Sequence, residues 1–270
     1  MLGPHAAQRG QQPSTAPTSA LSFPLSSDIE ALGARLSSAN VEERREAVMQ
    51  LGLMKRPDAS RIAAVALGDP APGVRAMAAQ AVLALPADQA AALLLPLLRN
   101  KKEKEFVRRE VAYALGQTRS RAAVQGLIAA LETDKEASVR AAAAIALGQI
   151  GDSSAVPVLV QTFSRRRAPG GFLNRITRQR EENEFVRRSA IHALGQIGDS
   201  SALPDLIEAL TSERAEADVR REAAQALGQI GDPAAIPALR GALEAADPYL
   251  SRAASDAIKL IESKRGLLSP

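Results

Sequence analysis

The sequence predicts an all-α protein built as a solenoid of about seven helical hairpins. The main observation is a nine-residue pattern that recurs without gaps as ERREAVMQL, VRAMAAQAV, VRREVAYAL, VRAAAAIAL, VRRSAIHAL, VRREAAQAL and LSRAASDAI. The seven copies end at Leu51, Val82, Leu115, Leu147, Leu194, Leu227 and Ile258, so all steps but one are 31 to 33 residues long. A fixed period of about 20 to 50 residues is typical of repeat proteins, in which each unit buries its apolar side against its neighbours.

The second observation is the spacing of apolar residues within each copy. They occupy the first, fifth, eighth and ninth places, as in Val186, Ala190, Ala193 and Leu194. This spacing forms one stripe on a helix, so each copy is predicted to be amphipathic.

The third observation is the turn that follows most copies, typically GQIGD. Glycines such as Gly148 and Gly151 are expected just beyond the helix, where a left-handed conformation ends it. Asp152 is then a candidate N-cap, and Pro157 lies near the start of the next helix, where a missing amide hydrogen costs least. The same turn recurs later with Gly195, Gly198, Asp199, Pro204, Gly228, Gly231, Asp232 and Pro237.

The stretch VRREAAQALGQIGDPAAIPALRGAL, residues 219–243, resembles HEAT repeats, specifically the short HEAT-like repeat of the phycobilisome-lyase type. The resemblance covers roughly residues 28 to 263. It implies a right-handed α-solenoid of the armadillo/HEAT-like kind, whose second helices line the concave side. Three copies depart from it, because Glu43 replaces the leading Val, Leu83 replaces the Gly, and Ser251 replaces the Arg. Terminal units of solenoids are commonly atypical because one face meets solvent.

The chain divides into a tail, a repeat region and a short end. Residues 1–27 are rich in Pro, Ser, Ala and Gln without any period, which predicts a disordered tail. The solenoid is expected over 28–263, with an insertion at 164–183 within repeat five, followed by a C-terminal tail at 264–270. The insertion holds six Arg and two Glu, so its own net charge is +4, the same as the net charge of the whole chain. Positive charge is therefore local, unlike the spread of a generally basic nucleic-acid binder.

Composition excludes several classes of site. Cysteine is absent, which excludes disulfides and thiolate metal ligands. His192 is the only histidine in the repeat region, and no phosphate-binding loop or catalytic motif is present. We therefore expect no catalytic residue, no metal and no cofactor. No apolar run is long enough for a membrane span. A cytoplasmic location is the default, an exported form with a missing leader stays open, and the oligomeric state is undetermined.

Candidate binding residues fall into two sets. On the concave face, seventh and third places of the pattern point away from the apolar stripe and combine bulky side chains with arginines, as in interface hot spots. These residues are Tyr113, Ile145, His192, Arg109, Arg188 and Arg221. The insertion contributes Arg165, Arg166, Arg167, Phe172, Arg175 and Arg178. The alternatives are an ordinary solvated helix face and a plain solvated loop.

A second arginine recurs in the second place of the pattern, at Arg44, Arg75, Arg108, Arg140, Arg187 and Arg220. We interpret it as structural, because such an arginine can bridge turns and helix ends of successive units. The less favoured interpretation is a basic ladder for an acidic ligand.

The function that these features favour is a non-catalytic protein-binding scaffold or adaptor, whose partner is another protein or an extended peptide. Two alternatives remain. The resemblance implies a phycobilin-lyase-like or other enzyme-associated factor, and the arginine-rich insertion would suit a nucleic-acid contact.

Overall fold

The computed structural model of the chain describes residues 27–164, 182–213 and 215–268. Within these ranges the chain forms fourteen α-helices and no strand, which pair in chain order into seven hairpins. The predicted all-α solenoid is confirmed. The first helices of the hairpins are α1 Ser27–Arg35, α3 Pro57–Ala63, α5 Ala87–Arg99, α7 Val124–Thr133, α9 Val156–Ser164, α11 Leu203–Thr211 and α13 Ile236–Leu243. The second helices are α2 Val41–Leu53, α4 Pro72–Ala81, α6 Glu105–Thr118, α8 Ala137–Ile150, α10 Glu184–Ile197, α12 Ala217–Ile230 and α14 Pro248–Leu268.

The core runs as one continuous cluster along the row of hairpins. The apolar stripe of the second helices in the central units is buried as its spacing predicts: Val186, Ala190, Ala193 and Leu194 of α10 have no exposed surface. Each second helix packs against its own first helix and against the second helices before and after it. Neighbouring units therefore supply the burial that one hairpin lacks.

The GQIGD turns confirm the cap prediction. The second glycine of the turn is left-handed, with φ of 75° at Gly151, 74° at Gly198 and 83° at Gly231. The aspartate that follows each one, such as Asp152, accepts a hydrogen bond from the backbone two residues on, at 2.9 Å in each case. It caps a short 3₁₀ turn that leads into the next first helix. The chain thus reverses direction between units through one glycine and one carboxylate.

The first glycine of the turn has a different role from the predicted one. Gly148 lies inside α8, which continues to Ile150, and it is buried. A Cβ placed on Gly148 would lie 2.8 Å from the Cα of Ala193 in the next second helix. The same close approach recurs between other pairs of second helices, at Gly116 with Ala146, Gly195 with Ala226 and Gly228 with Ala257. This glycine allows backbones to touch, and it does not end the helix.

The recurring second-place arginines link successive units, as the structural interpretation predicts. Arg108 lies in α6, and its Nε and Nη2 donate to the carboxylate of Asp134 in the next unit at 2.8 and 2.9 Å. The same guanidinium also donates to the backbone oxygen of Glu103 in its own turn. Equivalent arginine–carboxylate pairs are Arg44 with Asp69, Arg75 with Glu103, Arg140 with Glu182 and Arg187 with Glu216. Arg220 departs from the series, because the hydrogen bond described for it goes to the backbone oxygen of Leu210.

These pairs change the acidity of their carboxyl groups. Hydrogen bonds from Arg44 lower the pKa of Asp69 below its usual value. Burial is the largest single influence on Asp134 and acts to raise its pKa, but the hydrogen bonds from Arg108 and from the backbone of Glu136, with the charges of Arg108 and Lys101, together outweigh it, and the pKa is lowered. Charged carboxylates are therefore held in place at the unit junctions, where each is also a partner of backbone groups.

The boundaries differ from the sequence prediction at the C-terminal end. Helix α14 continues to Leu268, whereas a tail was expected from residue 264. The Lys264 ammonium donates to the backbone oxygen of Gln229 at 2.6 Å, which ties the added turns to the preceding unit. The predicted N-terminal tail and most of the insertion lie outside the described residues.

Candidate functional site

The second helices share one face that lies outside their buried apolar stripe. Residues three, four and seven apart lie on one side of a helix. On α6 these residues are Phe106, Arg109, Tyr113 and Gln117, and we call this face and its equivalents on the other second helices the inner face. Backbone contacts through glycine bring second helices closer together than first helices.

Aromatic side chains are concentrated on the inner face. The described residues include five aromatic side chains, and only Phe163 lies in the core. The other four, Phe106, Tyr113, Phe185 and Tyr249, occupy inner-face positions of α6, α10 and α14. Phe185 is 54% exposed and Tyr249 is 70% exposed. Exposing rings costs free energy, so their presence on one face is typical of a surface that binds.

The three apolar or aromatic residues predicted for the groove lie on the inner face of three successive second helices. Tyr113 of α6 is half-buried and packs partly against the core. Ile145 of α8 is half-buried between α6 and α10, beside Ala141 and Ala142, which are inaccessible. His192 of α10 is half-buried too. The three half-buried side chains therefore lie on the second helices of units three, four and five.

The predicted arginines are paired, and do not present open positive charge. Arg221 Nε lies 2.8 Å from Oδ2 of Asp247 in the next unit, and its Nη1 donates to Asp218. Arg188 Nη1 lies 3.4 Å from Oδ2 of the same Asp218. An alternating network of charges thus connects units five, six and seven.

Arg109 forms a weaker pair, 3.2 Å from Oε1 of its neighbour Glu110, with both side chains more than 30% exposed. Exposed ion pairs of this kind contribute little free energy in water, so a charged group of a binding partner can replace Glu110 at little cost.

His192 is joined to the neighbouring unit by hydrogen bonds. Its Nδ1 lies 3.2 Å from Oε1 of Glu222 in α12, and its Nε2 lies 3.1 Å from the Gln196 amide nitrogen. The hydrogen bond with Glu222 raises the pKa of His192 above its usual value, although burial acts against it. The protonated form is therefore favoured by a carboxylate of the next repeat.

This link predicts a titration result. The Glu222→Gln variant is expected to lower the titration midpoint of His192, because the carboxylate that stabilises the imidazolium is lost. The chain has two histidines, so ¹H–¹³C NMR resolves both ring signals. An unchanged midpoint in the variant would contradict the pairing. The raised pKa also means that this link stabilises the fold below pH about 6.5 and weakens as pH rises through the folded-state pKa.

Several inner-face residues are absent from the sequence prediction. Phe185 and Tyr249 lie one residue before the nine-residue pattern, in the first turn of their helices, so the pattern does not include them. The Arg221 guanidinium lies 5.4 Å from the centroid of the Tyr249 ring, a cation–π distance. The sequence does contain a signal for these residues: an aromatic residue directly precedes the nine-residue pattern three times, at Phe106, Phe185 and Tyr249.

A cleft of about 300 Å³ lies apart from the inner face, at the junction of units five and six. Phe163, Arg187, Asp205 and Glu208 are among the residues that line it. Arg187 belongs to the junction pairs described above, so the cleft coincides with a structural contact. The predicted insertion residues Arg165, Arg166, Arg167, Phe172, Arg175 and Arg178 lie outside the described residues.

Among the described residues, no group of three or more His, Asp or Glu side chains is placed to hold a metal ion. In the same part of the chain, no helix combines the length and apolar character that a membrane span requires.

The fold and the inner face define an all-α solenoid of stacked helical hairpins. The model of the HEAT repeats family matches residues 29–106, 101–169 and 172–264, and the chain therefore belongs to the HEAT-repeat family.

The similarity to one solved structure agrees with this fold. The complex of CpcE and CpcF of phycocyanin lyase from Nostoc sp. PCC7120 is 22% identical, with 93% of this chain and 99% of that chain covered and a TM-score of 0.51. Human deoxyhypusine hydroxylase is 19% identical over 87% of this chain and 96% of that chain, with a TM-score of 0.42. No curated protein sequence matches the chain.

Proposed function

We propose that this protein is a binding scaffold that holds a segment of another protein on its inner face. The observation that carries the proposal is the placement of four of the five described aromatic side chains on that face, in a chain with only 3% aromatic residues. Tyrosine and arginine are enriched where binding energy is concentrated, because they offer large apolar area together with a polar group. The proposed contact residues are Phe106, Arg109, Tyr113, Ile145, Phe185, Arg188, His192, Arg221 and Tyr249.

The charges of the inner face favour a protein partner over nucleic acid. Asp218 and Asp247 alternate with Arg188 and Arg221, so a row of phosphates placed here would meet carboxylates as often as guanidiniums. Nucleic-acid binding depends on several uncompensated cations along one path. A polypeptide with apolar anchors and mixed charges suits such a surface better.

The alternative of a phycobilin-lyase-like factor rests on the family likeness and on the CpcE–CpcF similarity. At 22% identity that similarity concerns the fold alone, and none of the inner-face contacts described above favours a bound chromophore. We therefore keep the binding of a protein segment as the proposed function, with no catalytic step assigned to the chain.

The proposal predicts that exposed inner-face rings are required for partner capture. The Phe185→Ser/Tyr249→Ser variant is expected to lose most of the affinity for a captured partner, because both rings are more than half exposed and contribute little to folding. The measurement is affinity purification from source-cell extract with mass spectrometry, followed by titration of the purified partner against wild type and variant.

The chain offers a matched control on the opposite side. Val65 and Leu93 are 72% and 40% exposed on the first-helix layer, so the Val65→Ser/Leu93→Ser variant removes apolar surface without touching the inner face. This control should bind as wild type does. Equal binding by all three proteins, or equal loss in both variants, would contradict the proposed surface. Tyr113 and His192 are less suitable first targets, since the one packs against the core and the other bonds Glu222.

A further inference from the structure

The junction between units two and three differs from the other junctions between second helices. At the other junctions a glycine of one second helix touches an alanine of the next. This holds between α2 and α4 as well, where a Cβ added to Gly52 would lie 3.1 Å from the Cβ of Ala81. On the far side of α4 the equivalent glycine is replaced by Leu83. A leucine side chain keeps two backbones apart, so α4 and α6 cannot approach as α6 and α8 do.

The local structure of α4 strengthens this difference. The helix has 10 residues, against 14 in each of α6, α8, α10 and α12. It ends at Ala81, whose backbone oxygen accepts a hydrogen bond of 2.5 Å from the hydroxyl of buried Ser60. Leu83 then lies in a 3₁₀ turn. The last helical turn, which carries the glycine contact in units three to six, is therefore missing.

Side chains at the edge of the row join the two units instead. Arg75 donates to both carboxylate oxygens of Glu103 at 2.6 and 2.5 Å, and burial leaves Glu103 only 8% exposed. On the inner face, the Gln117 amide reaches Gln80 at 3.5 Å, the limit of a hydrogen bond. The two units are thus held by this ion pair and by apolar packing between α4 and α6, without the glycine contact found at the other junctions.

We infer that the solenoid consists of two blocks, units one and two (27–85) and units three to seven (87–268), which bend against each other at the α4–α6 junction about the Arg75–Glu103 pair. In a linear array each interface sets its own stiffness, so the interface without the glycine contact bends first. Element ends such as Leu83 and its turn are where hinges absorb motion. Bending here changes the curvature of the inner face on one side of Tyr113 and leaves units three to seven unchanged.

The test uses spin labels, which the natural absence of cysteine makes simple. The exposed residues Val41, Glu105 and Glu184 are the first residues of α2, α6 and α10. The pair Val41→Cys/Glu105→Cys spans two units across the proposed hinge, and Glu105→Cys/Glu184→Cys spans two units inside the second block. Double electron–electron resonance measures the distance between the two labels of a pair. The distribution of this distance should be broader for the first pair than for the second.

A variant of the ion pair makes the test sharper. Glu103→Gln keeps the shape of the side chain but removes its charge, so it should broaden the distribution across the hinge further and leave the second pair unchanged. Circular dichroism establishes that the variant is folded. Equal widths for the two pairs in the wild-type background would overturn the inference, as would a Glu103→Gln distribution identical to that of wild type across the hinge.

Discussion

The Arg108→Met variant is expected to lower the free energy of unfolding by about 3–5 kcal/mol, the usual cost of breaking a buried ion pair by removing one partner. The side chains of Arg108 and Asp134 are 1% and 0% exposed, so the variant leaves a buried carboxylate without its hydrogen-bonded counter-charge. The only cation described near it is then the half-exposed Lys101 ammonium, at 3.7 Å. Equilibrium urea denaturation followed by circular dichroism measures the loss. The effect should be strongest at neutral pH, where Asp134 is charged.

Two controls separate the buried charge from the loss of side-chain packing. Arg45→Met removes an exposed arginine whose pair with Glu42 is more than half open to solvent, and it should change stability by no more than about 0.5 kcal/mol. Arg108→Met/Asp134→Asn removes the unpaired charge and should recover part of the lost stability, because an amide costs less to bury than a carboxylate. Similar small losses for Arg108→Met and Arg45→Met would show that the junction pairs do not support the stack.

The second large effect is expected from Gly148→Ala, which should destabilise the protein by about 1–3 kcal/mol by overpacking. A Cβ at this position would lie 2.8 Å from the Cα and 3.0 Å from the Cβ of Ala193, so α8 and α10 must move apart. The loss should appear although alanine is the better helix former by about 1 kcal/mol. Thermal and urea denaturation both measure it.

Gly241→Ala is the matched control, since the chemical change is the same and only the surroundings differ. Gly241 lies exposed in α13, and an added Cβ meets nothing within 4 Å. This variant should stabilise the protein by about 0.5–1 kcal/mol through helix propensity and a less flexible unfolded chain. If both variants shift stability in the same direction, the close packing of second helices is not what makes Gly148 necessary.

The repeat architecture could be predicted from the sequence because it depends on local periodicity. The stripe of Val186, Ala190 and Leu194 specifies a helix, and the turn around Gly151 and Asp152 specifies where it reverses. The role of Gly148 could not be predicted in the same way. A glycine two residues before a helix end is compatible both with a cap and with a close contact, and only the position of the neighbouring helix decides between them.

The sequence predicts that arginines bridge successive units, but it does not predict which carboxylate each arginine contacts. The recurring arginine indicates a bridge, but its acidic partner is Asp69 in one junction, Glu103 in the next and, for Arg140, Glu182 at the end of the insertion. The number of residues between the arginine and its carboxylate therefore varies, so the sequence pattern does not identify the acidic partner. The pairing of Arg188 and Arg221 with Asp218 likewise needs the geometry of adjacent helices, which a nine-residue pattern does not contain.

The central claim, that the inner face binds a protein segment, is tested most directly by site-specific photocrosslinking to the captured partner. A benzoylphenylalanine placed at Phe185 reports on the inner face, and one placed at Val65 reports on the first-helix layer; both sites are exposed. The account predicts a crosslink from position 185 and none from position 65. A crosslink from position 65 alone, or equal yields from both positions, would contradict it.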